Sequence, residues 1–210
     1  MATHAPRCWY LSPAIKKDQH RFEKNQDPGE PRLLTDEEVY IETEVIVGYL
    51  PLNSTDDKKI EEQAREIMNM GYAVTIEVDA EKDGEEAFEK TTEGFWEPHV
   101  HNQPSIRLTT RGSTYVDTLD INGRMIRIHL QRPGEYAILP EGNFHRVCPD
   151  TNKHVKMCIM FYDKSGWNQH KYPEGDQTDS YKRYKDRMLA VRRSLDFPYK
   201  KGPVSVNAKL

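Results

Sequence analysis

The sequence predicts a mainly β protein, a small jelly-roll β-barrel with a few peripheral α-helices. Two observations predict it. Between Phe95 and Tyr162, short apolar runs are separated by turn residues roughly every ten positions, the texture of an antiparallel barrel. Within that stretch two segments carry histidines at set distances from glycines, so strands and tight turns are expected to bring imidazoles together.

The elements follow in chain order. Pro6, Pro13, Pro28-Gly29 and Pro31 break up the start of the chain, which reads as an irregular wrap over residues 1–34 anchored by Trp9 and Tyr10. Thr35 and Glu38 have the spacing of a capping box and predict a helix start. The run from Glu44 to Leu50 then turns strand-like. A helix is expected from Asp56 to Met70, because Ile60, Ala64, Ile67 and Met68 fall on one stripe and Gly71 offers a stop. Tyr72, Val74, Ile76 and Val78 alternate with Ala73, Thr75 and Glu77, a strand with one buried face. Glu81 to Glu93 reads as an acidic connector.

The barrel strands come next. Asn122-Gly123, between Ser113–Leu119 and Met125–Leu130, is a hairpin signal because both residues tolerate positive φ. Pro133-Gly134 precedes Glu135–Leu139, the segment from Pro140 to Asn143 precedes Phe144–Cys148, and His154–Tyr162 closes the series. These elements make one domain over residues 35–175. Tyr181, Tyr184, Met188, Val191 and Leu195 keep helical spacing and predict a helical extension over residues 176–210, frayed at its end. Lys182, Arg183, Lys185, Arg192 and Arg193 read as its solvated face.

Bulk properties narrow the function classes. A chain of 210 residues fits one domain with a real core. Its 30 basic and 34 acidic residues give a net charge of −4, so no global field draws it to nucleic acid or to an anionic membrane. Cys8, Cys148 and Cys158 include no C-x-x-C pair, which argues against a disulfide framework and for a reducing compartment. No apolar run has membrane-spanning length and no secretory signal is visible, so a soluble cytoplasmic protein is expected. The nucleus as a second location and a monomeric state are expected separately from these features.

The chemistry lies in the histidines. His99 and His101 are two apart in a strand and so share a face. Gly134, Pro140 and Gly142 build a turn that presents His145 at the start of another strand. Imidazole nitrogen suits iron, nickel, zinc and copper, and three such ligands leave positions open for substrate or oxygen. His129, mid-strand, reads as barrel-facing or partly exposed. His4, His20, His154 and His170 read as solvated, and Cys148 and Cys158 as buried small side chains.

These segments resemble the two motifs of the cupin superfamily. G-x4-H-x-H-x3-E-x6-G is matched from Gly94 to Gly112 with one failure, and G-x5-P-x-G-x2-H is matched in full from Gly134 to His145. Within the superfamily the chain is similar to the acireductone dioxygenases of methionine salvage. Trp9-Tyr10, the segment from Asp27 to Pro31, Phe95 to His101, Ile106-Arg107, Met125 to Ile128, Leu139 to Arg146 and Trp167 all resemble family segments, over residues 8–175. The resemblance implies one Fe(II) or Ni(II) held by three histidines and a glutamate, with the histidines at His99, His101 and His145. It also implies addition of dioxygen to an acireductone, with Arg107 binding that substrate.

Two departures stand against that activity. The glutamate slot holds Ser105, with spacing intact on both sides. A neutral hydroxyl is a poor ligand, and its presence removes one donor and one negative charge. Eight residues before Trp167, where active family members carry arginine, stands Ile159. Glu97 is the leading substitute carboxylate, since it should share a strand face with His99. Glu135 and Glu141 rank below it as turn-proximal, exposed acids. The expectation is a catalytically inactive or severely impaired homologue that holds Fe(II), Ni(II) or no metal. Two alternatives stay open: an active three-histidine dioxygenase acting on acireductone or a related enediol, and a non-enzymatic cupin scaffold with a protein partner.

Overall fold

A computed structural model describes residues 7–11 and 32–194. The prolines from Pro6 to Pro31, the Asp27–Pro31 segment, His4, His20, Leu195 and the chain end lie outside the described residues.

Short strand β1 (Arg7–Tyr10) and two-residue β2 (Leu33–Leu34) precede α1 (Asp36–Thr43) and β3 (Ile46–Tyr49). Then come α2 (Asp57–Met68), β4 (Tyr72–Asp79), α3 (Ala80–Asp83) and α4 (Glu85–Trp96). The barrel strands are β5 (His99–Val100), β6 (Ser105–Gly112), β7 (Thr114–Leu119), β8 (Met125–Leu130), β9 (Glu135–Leu139), β10 (His145–Pro149) and β11 (His154–Phe161). A 3-10 turn at Lys164–Trp167, β12 (His170–Lys171), a second 3-10 turn at Glu174–Gln177 and α5 (Asp179–Ser194) end the described chain.

The strands form two antiparallel sheets, ordered β12-β5-β10-β7-β8-β1-β2 and β3-β9-β6-β11-β4. The fold class is therefore the one expected. The wrap contributes β1, whose Trp9 is buried and which pairs with β8. Val116, Ile126, Ile128, Leu130, Ala137 and Leu139, drawn from both sheets, form a buried cluster between them. On the opposite face of the larger sheet, Asp117 sits in register between Arg127 and Arg146 on the neighbouring strands. It accepts hydrogen bonds at 2.7 and 2.8 Å from Arg127 and at 2.9 Å from Arg146. The Arg146 guanidinium lies 3.6 Å from the ring centre of Trp96, so α4 covers this row of charge.

Local details correct several expectations. The capping box forms, with Glu38 N donating to Thr35 Oγ1 at 3.1 Å and Thr35 N to Glu38 Oε2 at 2.9 Å. α2 ends on Asn69, which takes φ +53°, two residues before Gly71. Ile67 leaves the expected stripe and is exposed, while Ile60 and Ala64 are buried and Met68 packs against the same cluster. The segment from Glu81 to Glu93 is helical rather than a connector. Phe88, Thr92 and Trp96 recur every fourth residue and are all buried, so the weak pattern concealed a real inward face. In the β7–β8 hairpin only Gly123 takes positive φ; Asp120 Oδ1 organises the turn by accepting from Asn122 N and Arg124 N.

Candidate metal centre

Sheet register brings the histidines together. His99 on β5 and His145 on β10 are direct cross-strand partners, and His101 follows β5 by one residue. All three are buried, and one ring nitrogen from each falls within 4.8 Å of the others. Their ring centres lie 4.6 to 5.3 Å apart.

Each ring is aimed from behind. Nδ1–H of His99 donates to the Glu97 carbonyl at 2.8 Å, that of His101 to Asn168 at 3.0 Å, and that of His145 to Asn143 at 3.0 Å. With Nδ1 protonated, the three Nε2 lone pairs are left for a common partner. Desolvation also holds the rings neutral, pushing His99 down to about 4, His101 to about 2 and His145 well below its usual value; the nearby Arg107 charge acts the same way. Nε2 of His99 is buried without a hydrogen bond among the described residues. An orphaned acceptor beside two more aligned lone pairs fits a divalent cation.

The support reaches into α5. The Asn143 side chain accepts from Thr118 at 2.6 Å and donates to the Tyr184 hydroxyl at 2.9 Å, and Tyr184 donates to the Thr43 carbonyl at 3.0 Å. Gly142, which donates its N–H to the His101 carbonyl at 2.9 Å, takes φ +76°. A Cβ there would lie 2.2 Å from the Ser180 carbonyl oxygen, so this turn and α5 meet backbone to backbone.

The opposite sheet supplies charge of the wrong sign for a cation. Arg107 on β6 is buried, and its Nη2 lies 3.2 Å from His101 Nε2 and 3.1 Å from His145 Nε2. Ser105 is buried on the same strand face, its hydroxyl without a hydrogen bond.

No carboxylate joins the group among the described residues. The Glu97 side chain is 50% exposed and pairs with Lys171; its backbone carbonyl, not its acid, serves the site. Helix α4 ends just before it, so no strand alternation carries the side chain inward. Glu135 is buried rather than exposed, but it accepts from Gln131 N at 2.6 Å and Arg132 Nε at 2.9 Å. Glu141 is paired with Arg183 and Arg187. His129 is buried against Asp150 at 2.9 Å and stands apart from the cluster. His154 and His170 are only partly exposed, and His170 accepts from Asn102 at 2.9 Å.

Beside the histidines is a cavity of roughly 550 Å³, its open mouth included, lined by His99, His101 and Arg107 and otherwise mostly by apolar side chains. Ile159 lines it and is the direct cross-strand partner of Arg107. Sequence reasoning missed the carbonyls of Asn143 and Asn168, the reach of Arg107 across the barrel, and the propping of Asn143 by Tyr184. Backbone acceptors and contacts across many residues leave no local pattern to read.

A sequence model of the ARD/ARD′ family matches residues 7–169. The acireductone dioxygenase of Leishmania infantum is 27% identical over 195 residues, covering 87% of this chain and 52% of that protein. The chain thus spans about half the length of the trypanosomatid relatives it matches. The acireductone dioxygenase of Ixodes scapularis is 28% identical over 161 residues, covering 77% of this chain and 85% of that one. Among solved structures, an acireductone dioxygenase from Bacillus anthracis with cadmium in its active centre superposes with a TM-score of 0.58. At 12% identity over 81% of this chain and 99% of that one, it supports the shared fold alone.

Proposed function

We propose, from the premise that this chain belongs to the ARD/ARD′ family, that it is a three-histidine metal-binding cupin that has lost acireductone turnover. His99, His101 and His145 would hold Fe(II) or Ni(II) through Nε2, with Nδ1 of each ring fixed by a backbone carbonyl. When bound, such an ion supplies the centre at which an acireductone and dioxygen are brought together. The remaining chemistry falls to the chain, and there the site is short of parts. Ser105 offers a hydroxyl where a carboxylate would offset the charge of the ion, and Ile159 offers no charge for an anionic substrate.

One observation carries the reading. A buried guanidinium contacts two of the three imidazoles, and no acid among the described residues balances it. A dication added there meets like charge, in a site where attraction and repulsion are both stronger than in water. The same imidazoles and Arg107 favour a second reading, a three-histidine dioxygenase working on acireductone or a related enediol. The three cysteines are buried and joined by no disulfide among the described residues, which accords with a reducing compartment, the cytoplasm or nucleus. No described helix is long and apolar enough to cross a membrane.

Metal titration and oxygen uptake together test the proposal. One equivalent of Ni(II) or Fe(II) should bind and be lost in His145→Ala, while acireductone adds no oxygen uptake over a protein-free control. Turnover would favour the second reading, and absence of any metal binding would remove both.

A further inference from the structure

The buried arginines of this barrel are otherwise paired with acids. Arg127 and Arg146 share Asp117. Arg107 is 3% exposed and forms no ion pair among the described residues. Its hydrogen bonds are a 3.4 Å contact from Nη1 to the Ile106 carbonyl and the two from Nη2 to imidazoles, all neutral acceptors. Nε takes part in none of them. Holding a buried guanidinium without a counter-charge is costly, and the cost falls when an anion arrives.

The surroundings specify which anion. Among the described residues, the cavity that Arg107 lines has no other lysine or arginine and no acid in its wall. Ile159 stands directly opposite Arg107, where a second cation would match a dianion. Met157, Val155, Val78 and Ile76 continue the wall as an apolar surface. Ser105 and Thr109, two residues to either side of Arg107 on β6, each bury a hydroxyl without a partner among the described residues.

We infer that this cavity binds a monocarboxylate with an apolar tail, the carboxylate paired with Arg107 and the tail lying along the Ile159 wall. One guanidinium sets the charge at one, its Nε–H, outside those hydrogen bonds, is left to donate to a carboxylate oxygen, and the wall rewards hydrocarbon over hydroxyls. The site uses the same cavity as the metal reading above but does not require the ion.

Calorimetric titration of the full chain in chelator tests the inference with butyrate, hexanoate, hexan-1-ol and inorganic phosphate as probes. Hexanoate should bind on the order of tenfold more tightly than butyrate, the gain expected from burying two methylenes. It should also exceed hexan-1-ol at least tenfold, with phosphate weaker than either carboxylate. Arg107→Met should erase the preference for hexanoate over hexan-1-ol while keeping hexan-1-ol binding, which reports an intact cavity. Ile159→Glu, placing an acid opposite Arg107, should weaken hexanoate at least tenfold and serves if the first variant does not fold. Equal affinity for hexanoate and hexan-1-ol, tighter phosphate binding, or no hexanoate binding to the native chain would overturn the inference. Metal content of the same preparation before chelation is read separately: metal without carboxylate selectivity overturns this inference alone, and selectivity without metal overturns only the metal reading.

Discussion

Nη2 of Arg107 lies 3.1 Å from Nε2 of His145, on the lone pair that a metal ion would need. The arginine comes from one sheet and the histidine from the other, so the barrel itself sets guanidinium and cation in competition. Arg107→Met should therefore raise Ni(II) affinity at least tenfold, as read by competition against a chromophoric chelator. Unchanged or weaker affinity would mean that the guanidinium does not oppose the ion.

Ser105 combines near-complete burial with an unsatisfied hydroxyl. Ser105→Ala removes that orphan and should leave stability within about 1 kcal/mol of the native chain, or raise it, in thermal unfolding. Ser105→Glu should instead tighten metal binding by about 10- to 100-fold, a range typical of losing or gaining ligand support. Combined with Ile159→Arg, it should bring oxygen uptake with acireductone above the protein-free rate. A double variant as inert as the native chain would place the deficit elsewhere.

The barrel was legible because its signals are local. Met125–Leu130 and Glu135–Leu139 occur where alternation and flanking turn residues put them. The convergence of His99, His101 and His145 was legible because strand alternation pairs the first two and the Gly142 turn presents the third, although Gly94 lies within α4 and makes no turn. Glu97 was misjudged because α4 runs to Trp96, which removes the strand phase that would have turned its side chain inward. The α4 helix was itself obscured, since its inward face includes Thr92, a polar residue that satisfies its hydroxyl on the Phe88 carbonyl at 2.9 Å. The Arg107 contacts cross between sheets, so no pattern along one strand reveals them.

Asp117 ties three strands of the larger sheet through Arg127 and Arg146. Burial alone would lift its carboxyl, but the charges and hydrogen bonds of the two arginines outweigh burial and hold it below its usual 3.8. A carboxylate depressed by folding contributes stability that is present above its unfolded value and lost as pH falls through the folded one. Asp117→Asn should cost about 3–5 kcal/mol at neutral pH, since two buried arginines lose their partner. It should also flatten the fall in melting temperature below pH 4, where the native chain loses this pair. A variant with the native acid limb would show that the triad does not set it.

Gly142 joins the His145 turn to α5 in a left-handed conformation that leaves no room for a methyl group. Gly142→Ala should release α5, seen as faster amide exchange across Ser180–Met188, and weaken metal binding through the displaced turn. Native exchange in that helix would show that the close approach is dispensable.

Oxygen-electrode traces of the Fe(II)-loaded native chain with freshly generated acireductone bear most directly on the function assigned here. The trace should overlie the protein-free control. A steady, protein-dependent uptake that vanishes in His145→Ala would contradict it.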